Sequence, residues 1–417
     1  MYVTSGLLLA LSTTVAAAVT VDAAYGLRPY QVDLKDGSTR MLDLVRNYHL
    51  PEKPVYAGVG STAGLDLDLL ESLKQQWTEQ YDWEEDQDYM NSFHHYTAEI
   101  EGLTTHFVHE RSSDPGAIPL LLEHGWPGSF MEFAAIIKEL TMQSTTSTGK
   151  HVAFHIIVPS LPGFAFSQAA PANWTTEDTA RVHHTLMTEL LGYKKFAVHG
   201  TDFGAPIAHT LYDEYNQSTR ALHAVFIPFG SLDSAELAAA NISLSPLEEF
   251  EVARYEEWNT VGIAYYLQQA TKPNTIGLAL HDSPVGQLAW IAEKFLDWSD
   301  PRAGTGPSLI THHELLRHVS LYFLTESFLS SVYMYYQNPN GPRGPGFRSE
   351  YTKAKTDAPM LFSAFKYNIG FWPPALVARV GNLVSYRNHE FGGHFPALDN
   401  PPQMIEDLRE IATYWKA

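Results

Sequence analysis

Gly200-Thr201-Asp202-Phe203-Gly204, led in by the apolar run Phe196-Ala197-Val198, is the stretch on which the fold turns. A short buried strand that enters Gly-x-nucleophile-x-Gly and leaves into a helix makes a sharp turn. The turn thrusts its central side chain up at the end of a sheet. Ser commonly holds that centre; here it is Asp202. A carboxylate there attacks carbon by displacement and is left as an alkyl ester, which suits epoxides or alkyl halides. Taken alone the pattern is weak, since an Asp between glycines is usually a turn residue. The neighbouring segments supply the rest.

Working outward, Thr97 to Glu110 reads as two strands turning near Gly102, and Ile118 to Leu122 as a buried strand. A helix from about Phe130 to Leu140, a strand His155 to Val158 and a helix Thr175 to Leu191 follow. After the turn come a helix Pro206 to Tyr215 and a sixth strand, Leu222 to Phe229. Strands alternating with helices imply a mostly parallel central sheet with helices on both faces, the α/β-hydrolase fold. Residues 28–115 form a leading segment, with helical periodicity from Leu65 to Trp77, and 116–229 the first half of the core. From 230 to 357 the chain is rich in aromatics and helix, a mainly helical lid inserted after the sixth strand, with a Gly/Pro loop at 338–346. Strands Pro359 to Phe365 and Leu383 to Tyr386 and a helix Gln403 to Trp415 return to the core in 358–417.

Two further motifs stand where this fold needs them. His124-Gly125-Trp126-Pro127 follows the third strand, so the Trp126 and Phe203 backbone N–H groups are the expected oxyanion hole. Gly392-Gly393-His394 follows the last strand, and an imidazole there is placed to act as base toward water. The opening of an epoxide needs a proton donor, and a phenol stays protonated at neutral pH. The lid holds Tyr255, Tyr265, Tyr266, Tyr322, Tyr333, Tyr335, Tyr336 and Tyr351, and spacing does not choose among them.

Lys+Arg 27 against Asp+Glu 47 gives a net charge of −20, which argues against a nucleic-acid partner or an anionic membrane surface. With no Cys, disulfides and a thiol nucleophile are excluded. Residues 1–27 hold an apolar run from Leu7 to Val19 that resembles a signal-peptide core without a preceding basic residue. With the sequons at Asn173, Asn216 and Asn241 it leads us to expect a glycoprotein of the secretory pathway. Membrane association through that end, or cytoplasmic residence, is the alternative.

Several segments resemble the microsomal-type epoxide hydrolases, and the likeness spans nearly everything after residue 28. They include Tyr81-Asp82-Trp83, His124 to Pro127, Leu161-Pro162-Gly163-Phe164, Thr271-Lys272-Pro273, Asp282-Ser283-Pro284, Phe362-Ser363-Ala364-Phe365 and Gly392-Gly393-His394-Phe395. The resemblance implies a leading segment that wraps the core, Asp202 as nucleophile and His394 as base. It also implies Tyr265 and Tyr335 as ring-opening acids, a small, mostly apolar epoxide as substrate, and no metal or organic cofactor. One departure stands out: Asn368 occupies the place where the family carries a Glu that orients the His. Asp233, after the sixth strand, is the candidate for a relocated acid. If none serves, water activation is weakened and the site would act as an epoxide-opening cyclase or isomerase. A haloalkane dehalogenase is disfavoured because Phe203 offers no side-chain N–H to a halide. A non-catalytic ligand-binding protein is disfavoured because the motifs are intact.

Overall fold

The computed structural model describes residues 24–338 and 350–416. Its strands, numbered along the chain, are β1 Arg28–Tyr30, β2 His95–Ile100, β3 Leu103–Glu110, β4 Ile118–Glu123, β5 Ser144–Thr145 and β6 His151–Val152. Then come β7 Phe154–Pro159, β8 Phe196–Gly200, β9 Thr219–Ala224, β10 Pro359–Tyr367 and β11 Asn382–Gly393. Nine of them form one sheet in the order β1-β2-β3-β7-β4-β8-β9-β10-β11, while β5 and β6 pair with each other. From β7 to β11 every neighbouring pair is parallel; β1, β2 and β3 add an antiparallel edge. The central strands contain the runs Leu120 to Leu122, Ile156 to Val158 and Phe196 to Val198, all fully buried. Strands apolar on both sides must be covered on both sides, as parallel sheets are. Helices Ala134–Thr141 and Pro401–Arg409 pack together on one face, Thr176–Thr185 and Gly204–Glu214 on the other.

Several boundaries differ from the sequence reading, among them the closing helix, which is two helices, Pro401–Arg409 and Ile411–Tyr414. The sixth core strand runs over Thr219–Ala224 and ends early, because Phe226, Ile227 and Pro228 turn away to wall a cavity. The last strand extends to Gly393, past an irregularity opposite Phe365 to Tyr367, and so carries its glycines to the site. The helix expected over Thr175 to Leu191 passes into a π-helical turn at Leu186. Strands β1, β5 and β6 went unforeseen, being only two or three residues long.

Between β9 and β10 lies a helical insertion with, among the described residues, seven α-helices from Ser234–Ala239 to Ser327–Gln337. The leading segment holds it from outside. In a buried contact, Trp77 Nε1 donates to Ser320 Oγ at 3.1 Å. The Asp86 carboxylate, 2% exposed, meets Arg317 at 2.7 Å and His313 at 3.0 Å, and Arg40 pairs with Asp282. Of the expected Gly/Pro loop only Asn338 is described, and the signal-like run lies outside the described residues. Among the described residues no helix is long and apolar enough to cross a membrane. Asn173 and Asn241 are exposed, whereas the Asn216 amide is spent on the Asp213 and Lys355 carbonyls.

Candidate active site

The turn at Asp202 is built on close approach. A Cβ on Gly204 would lie 2.1 Å from the Glu123 carbonyl oxygen, and one on Gly200 2.4 Å from that of Gly204. Both positions exclude any other residue, because the obstacle is backbone. Asp202 itself sits at φ +43°, a left-handed conformation that costs a non-glycine residue on the order of 1–3 kcal/mol. Its Oδ1 accepts the Trp126 N–H at 2.9 Å. A Cβ on Gly125 would fall 2.2 Å from that same Oδ1, so the loop glycine admits the carboxylate. His124 braces the loop. Its Nε2 accepts the Leu161 N–H at 3.1 Å, which leaves the proton on Nδ1 facing the Gly125 carbonyl. Burial pushes its pKa down to about 4.

His394 leaves β11 directly after Gly393, where a Cβ would collide with the Trp298 carbonyl at 2.2 Å. Its own N–H donates to that carbonyl at 2.7 Å, pinning the loop to the insertion. The ring stands edge-on to Trp298 and Phe226. Nδ1 lies 2.8 Å from Asn368 Oδ1. The orientation of that amide is fixed chemically. Its nitrogen donates to the Val225 carbonyl, and its oxygen accepts the Ile369 N–H. The oxygen therefore faces the imidazole, Nδ1 carries the proton, and Nε2 is left as a base 3.5 Å from Asp202 Oδ2. Asp233 is elsewhere engaged: it caps helix Ser234–Ala239, its Oδ1 accepting the Glu236 N–H at 2.8 Å. Asn368 is the group at Nδ1, and Asp233 does not take that place.

Tyr265 and Tyr335 come from different helices of the insertion and meet over Asp202. Their rings are 5.9 Å apart and nearly perpendicular. Tyr265 stacks on Trp126 at 5.3 Å, and Tyr335 meets Phe203 edge-on at 4.7 Å. Burial, then the Asp202 charge, raises the Tyr265 phenol well above its usual range. For Tyr335 the causes are burial, the Tyr265 phenol and Asp202, in that order. Both remain protonated donors. With Tyr266, Trp258, Phe226 and Ile227 they wall a cavity that Asp202 also lines. Tyr266 shares that wall; other tyrosines of the insertion fall elsewhere. Tyr336 is 53% exposed, Tyr333 lines a separate groove, and Tyr322 and Tyr351 donate to the Gly128 and Gly230 carbonyls.

Residues 27–133 match the model of the epoxide hydrolase N terminus, and 118–273 that of the α/β-hydrolase fold. Epoxide hydrolase 1 of Oryctolagus cuniculus is 31% identical, covering 83% of this chain and 80% of its own. Juvenile hormone epoxide hydrolase of Bombyx mori is 30% identical over 94% of this chain and 87% of its own. The chain belongs to the epoxide hydrolase family. Among solved structures, the Aspergillus niger epoxide hydrolase superposes with a TM-score of 0.78 at 31% identity, covering 93% of this chain and 96% of that one.

Sequence reasoning missed one ionisable group of this epoxide hydrolase family site. Glu132 is 1% exposed, and burial followed by the Asp202 charge holds its carboxyl well above the usual range. A Cβ on Gly128 would lie 2.4 Å from its Oε2. At the start of a helical turn, Glu132 reads as a solvent residue; only the tertiary structure buries it.

Proposed function

We propose that the protein is an epoxide hydrolase working through a covalent ester on Asp202. The placement of Asp202 between the Trp126 N–H and His394 Nε2, under two protonated phenols, carries this reading. With Oδ1 held by the Trp126 N–H, Oδ2 is the free oxygen and attacks an oxirane carbon. The C–O bond breaks, and Tyr265 or Tyr335 hydrogen-bonds the departing oxygen and passes it a proton. His394 Nε2 then takes a proton from water, whose oxygen attacks the Asp202 carboxyl carbon. Negative charge gathers on Oδ1, opposite the Trp126 N–H and the Phe203 N–H expected beside it. Collapse breaks the ester C–O bond, the departing alkoxide takes the proton left on the carboxyl, the imidazolium proton returns to the tyrosine and a vicinal diol is released, so epoxide and water are consumed one for one. The cavity walls favour an apolar epoxide, and the insertion serves as the lid that shields the ester from bulk water.

The contact between Asn368 and His394 favours a second reading. An amide fixes the imidazole tautomer but gives the imidazolium no compensating charge, a loss that costs a catalytic triad several powers of ten in rate. With water activation so weakened, a hydroxyl of the substrate itself could capture the opened epoxide, giving a cyclase or isomerase.

A single turnover in heavy-oxygen water separates these routes. Hydrolysis through the ester places label in the Asp202 carboxylate. Intact mass should show an adduct accumulating in His394→Ala and none in Asp202→Ala. Label confined to the diol would refute the covalent route.

A further inference from the structure

Lys294, on helix Pro284–Asp297, is a buried cation beside one of the two phenols, its side chain only 4% exposed. An ammonium is expensive to bury unless it is compensated, so its neighbours are informative. Glu293 Oε1 lies 2.7 Å from Nζ, and the ring centroids of Tyr265 and Trp290 lie 5.2 and 5.3 Å from it. Burial pulls the Lys294 pKa down, and the Glu293 carboxylate opposes that pull. Trp290 stands one helical turn before Lys294, on the same face. Its indole N–H donates to Gln269 Oε1 at 3.0 Å, and Gln269 stands one turn after Tyr265 on helix Ala264–Thr271. The helix with the cation is thereby tied to the helix with the phenol.

The two phenols near Asp202 sit in different fields. Tyr265 stacks on Trp126 and has the Lys294 ammonium over its ring. Tyr335 meets Trp126, Phe203 and Tyr266 edge-on, and those are neutral rings. A neutral phenol attracts a cation only through its quadrupole. A phenolate carries a full negative charge, so the attraction grows as the proton leaves. The gain therefore arises on the way to the transition state and not in the resting protein, which is the kind of interaction that speeds a step.

We propose that Lys294 is a positioning residue whose ammonium makes Tyr265, of the two phenols, the one that yields its proton to the opening epoxide. The proposal rests on the epoxide reading and divides the labour within it. As Asp202 Oδ2 bonds to the oxirane carbon and the C–O bond breaks, the Tyr265 proton passes to the departing oxygen. Lys294 steadies the phenolate until the His394 imidazolium returns a proton. Tyr335 hydrogen-bonds the same oxygen and keeps its own proton. Lys294 does not line the cavity and acts through Tyr265.

The measurement is the rate of adduct formation in a single turnover, read by intact mass with His394→Ala as the parent so that the ester persists. Two epoxides are compared, 1,2-epoxyhexane and its 3,3-difluoro analogue, whose alkoxide is the weaker base and needs less help from an acid. Lys294→Met should slow 1,2-epoxyhexane by about tenfold or more, the scale of a desolvated cation–π contact, and the difluoro analogue by distinctly less. Lys294→Arg should keep most of the parent rate. Added to Tyr265→Phe, Lys294→Met should cost nothing further; added to Tyr335→Phe, it should cost the full factor. The phenols also read the proposal without a change at Lys294. Tyr265→Phe should penalise 1,2-epoxyhexane more than the difluoro analogue, and Tyr335→Phe should penalise both alike. An unchanged rate in Lys294→Met, an equal loss on both epoxides and in both backgrounds, or the reverse pattern for the phenols overturns the proposal and leaves epoxide opening intact. Absence of any Asp202 adduct in the parent removes the epoxide reading, and this one with it.

Discussion

Two glycines at the site exclude a methyl for different reasons. A methyl at Gly125 would lie 2.2 Å from Asp202 Oδ1 and 2.3 Å from its Cβ, and the Cβ moves only with the backbone, so the Asp202 turn must shift. Gly125→Ala should therefore lose stability as well as kcat/KM, the latter by on the order of 100-fold, the usual penalty for misplacing a reacting atom by about 1 Å. A methyl at Gly204 meets the Glu123 backbone, which cannot yield without parting β4 from helix Gly204–Glu214. Gly204→Ala should cost about 1–3 kcal/mol or more of stability, read by denaturant unfolding. Asn368 permits a sharper experiment on chemistry. Asn368→Glu supplies a charge at Nδ1 of His394, and decay of the covalent adduct in single turnovers should quicken about tenfold or more. Asn368→Leu removes the acceptor altogether, frees the tautomer, and should slow that decay without slowing adduct formation.

At the level of elements, the insertion meets the sheet through helix Pro246–Glu257. Its Glu251 is 2% exposed and accepts a hydrogen bond from Asn388 of β11 at 2.9 Å. Burial raises this carboxyl to about 8, far above the ordinary value of 4.5. The sign follows from proton linkage: a group with a raised folded pKa stabilises below its unfolded value and loses that contribution as pH climbs through the folded one. Tm should therefore sag between about pH 5 and 8, and Glu251→Gln should remove that slope. Elements also decide what could be read from sequence. The turns at Asp202, at His124-Gly125 and at Gly392-Gly393 were legible because glycine spacing is local and its cause steric. Tyr335 was not separable from Tyr333 and Tyr336. Helix Ser327–Gln337 is apolar or small nearly all round, so periodicity names no inward face. Burial of Glu132 and the early end of β9 depend on partners far away in sequence. They left no mark in their own neighbourhoods.

For the molecule as a whole, the leading segment and the insertion clasp each other across the mouth of the sheet. Asp86 is the test of that clasp. Arg317→Ala would leave its buried carboxylate with His313 and the Tyr81 phenol but no guanidinium and should cost about 3–5 kcal/mol, whereas replacing both partners by apolar residues should recover most of the loss. The same contact has a consequence in time. Trp77 and Ser320 are 243 residues apart, and Asp86 and Arg317 are 231. At about 5–20 residues per second, a ribosome needs roughly 10–50 s between making one partner and the other. During that interval the helix bearing Trp77 has helix Lys35–Asn47 beside it but not the insertion, so the Trp77 face stays uncovered until the second half of the chain emerges.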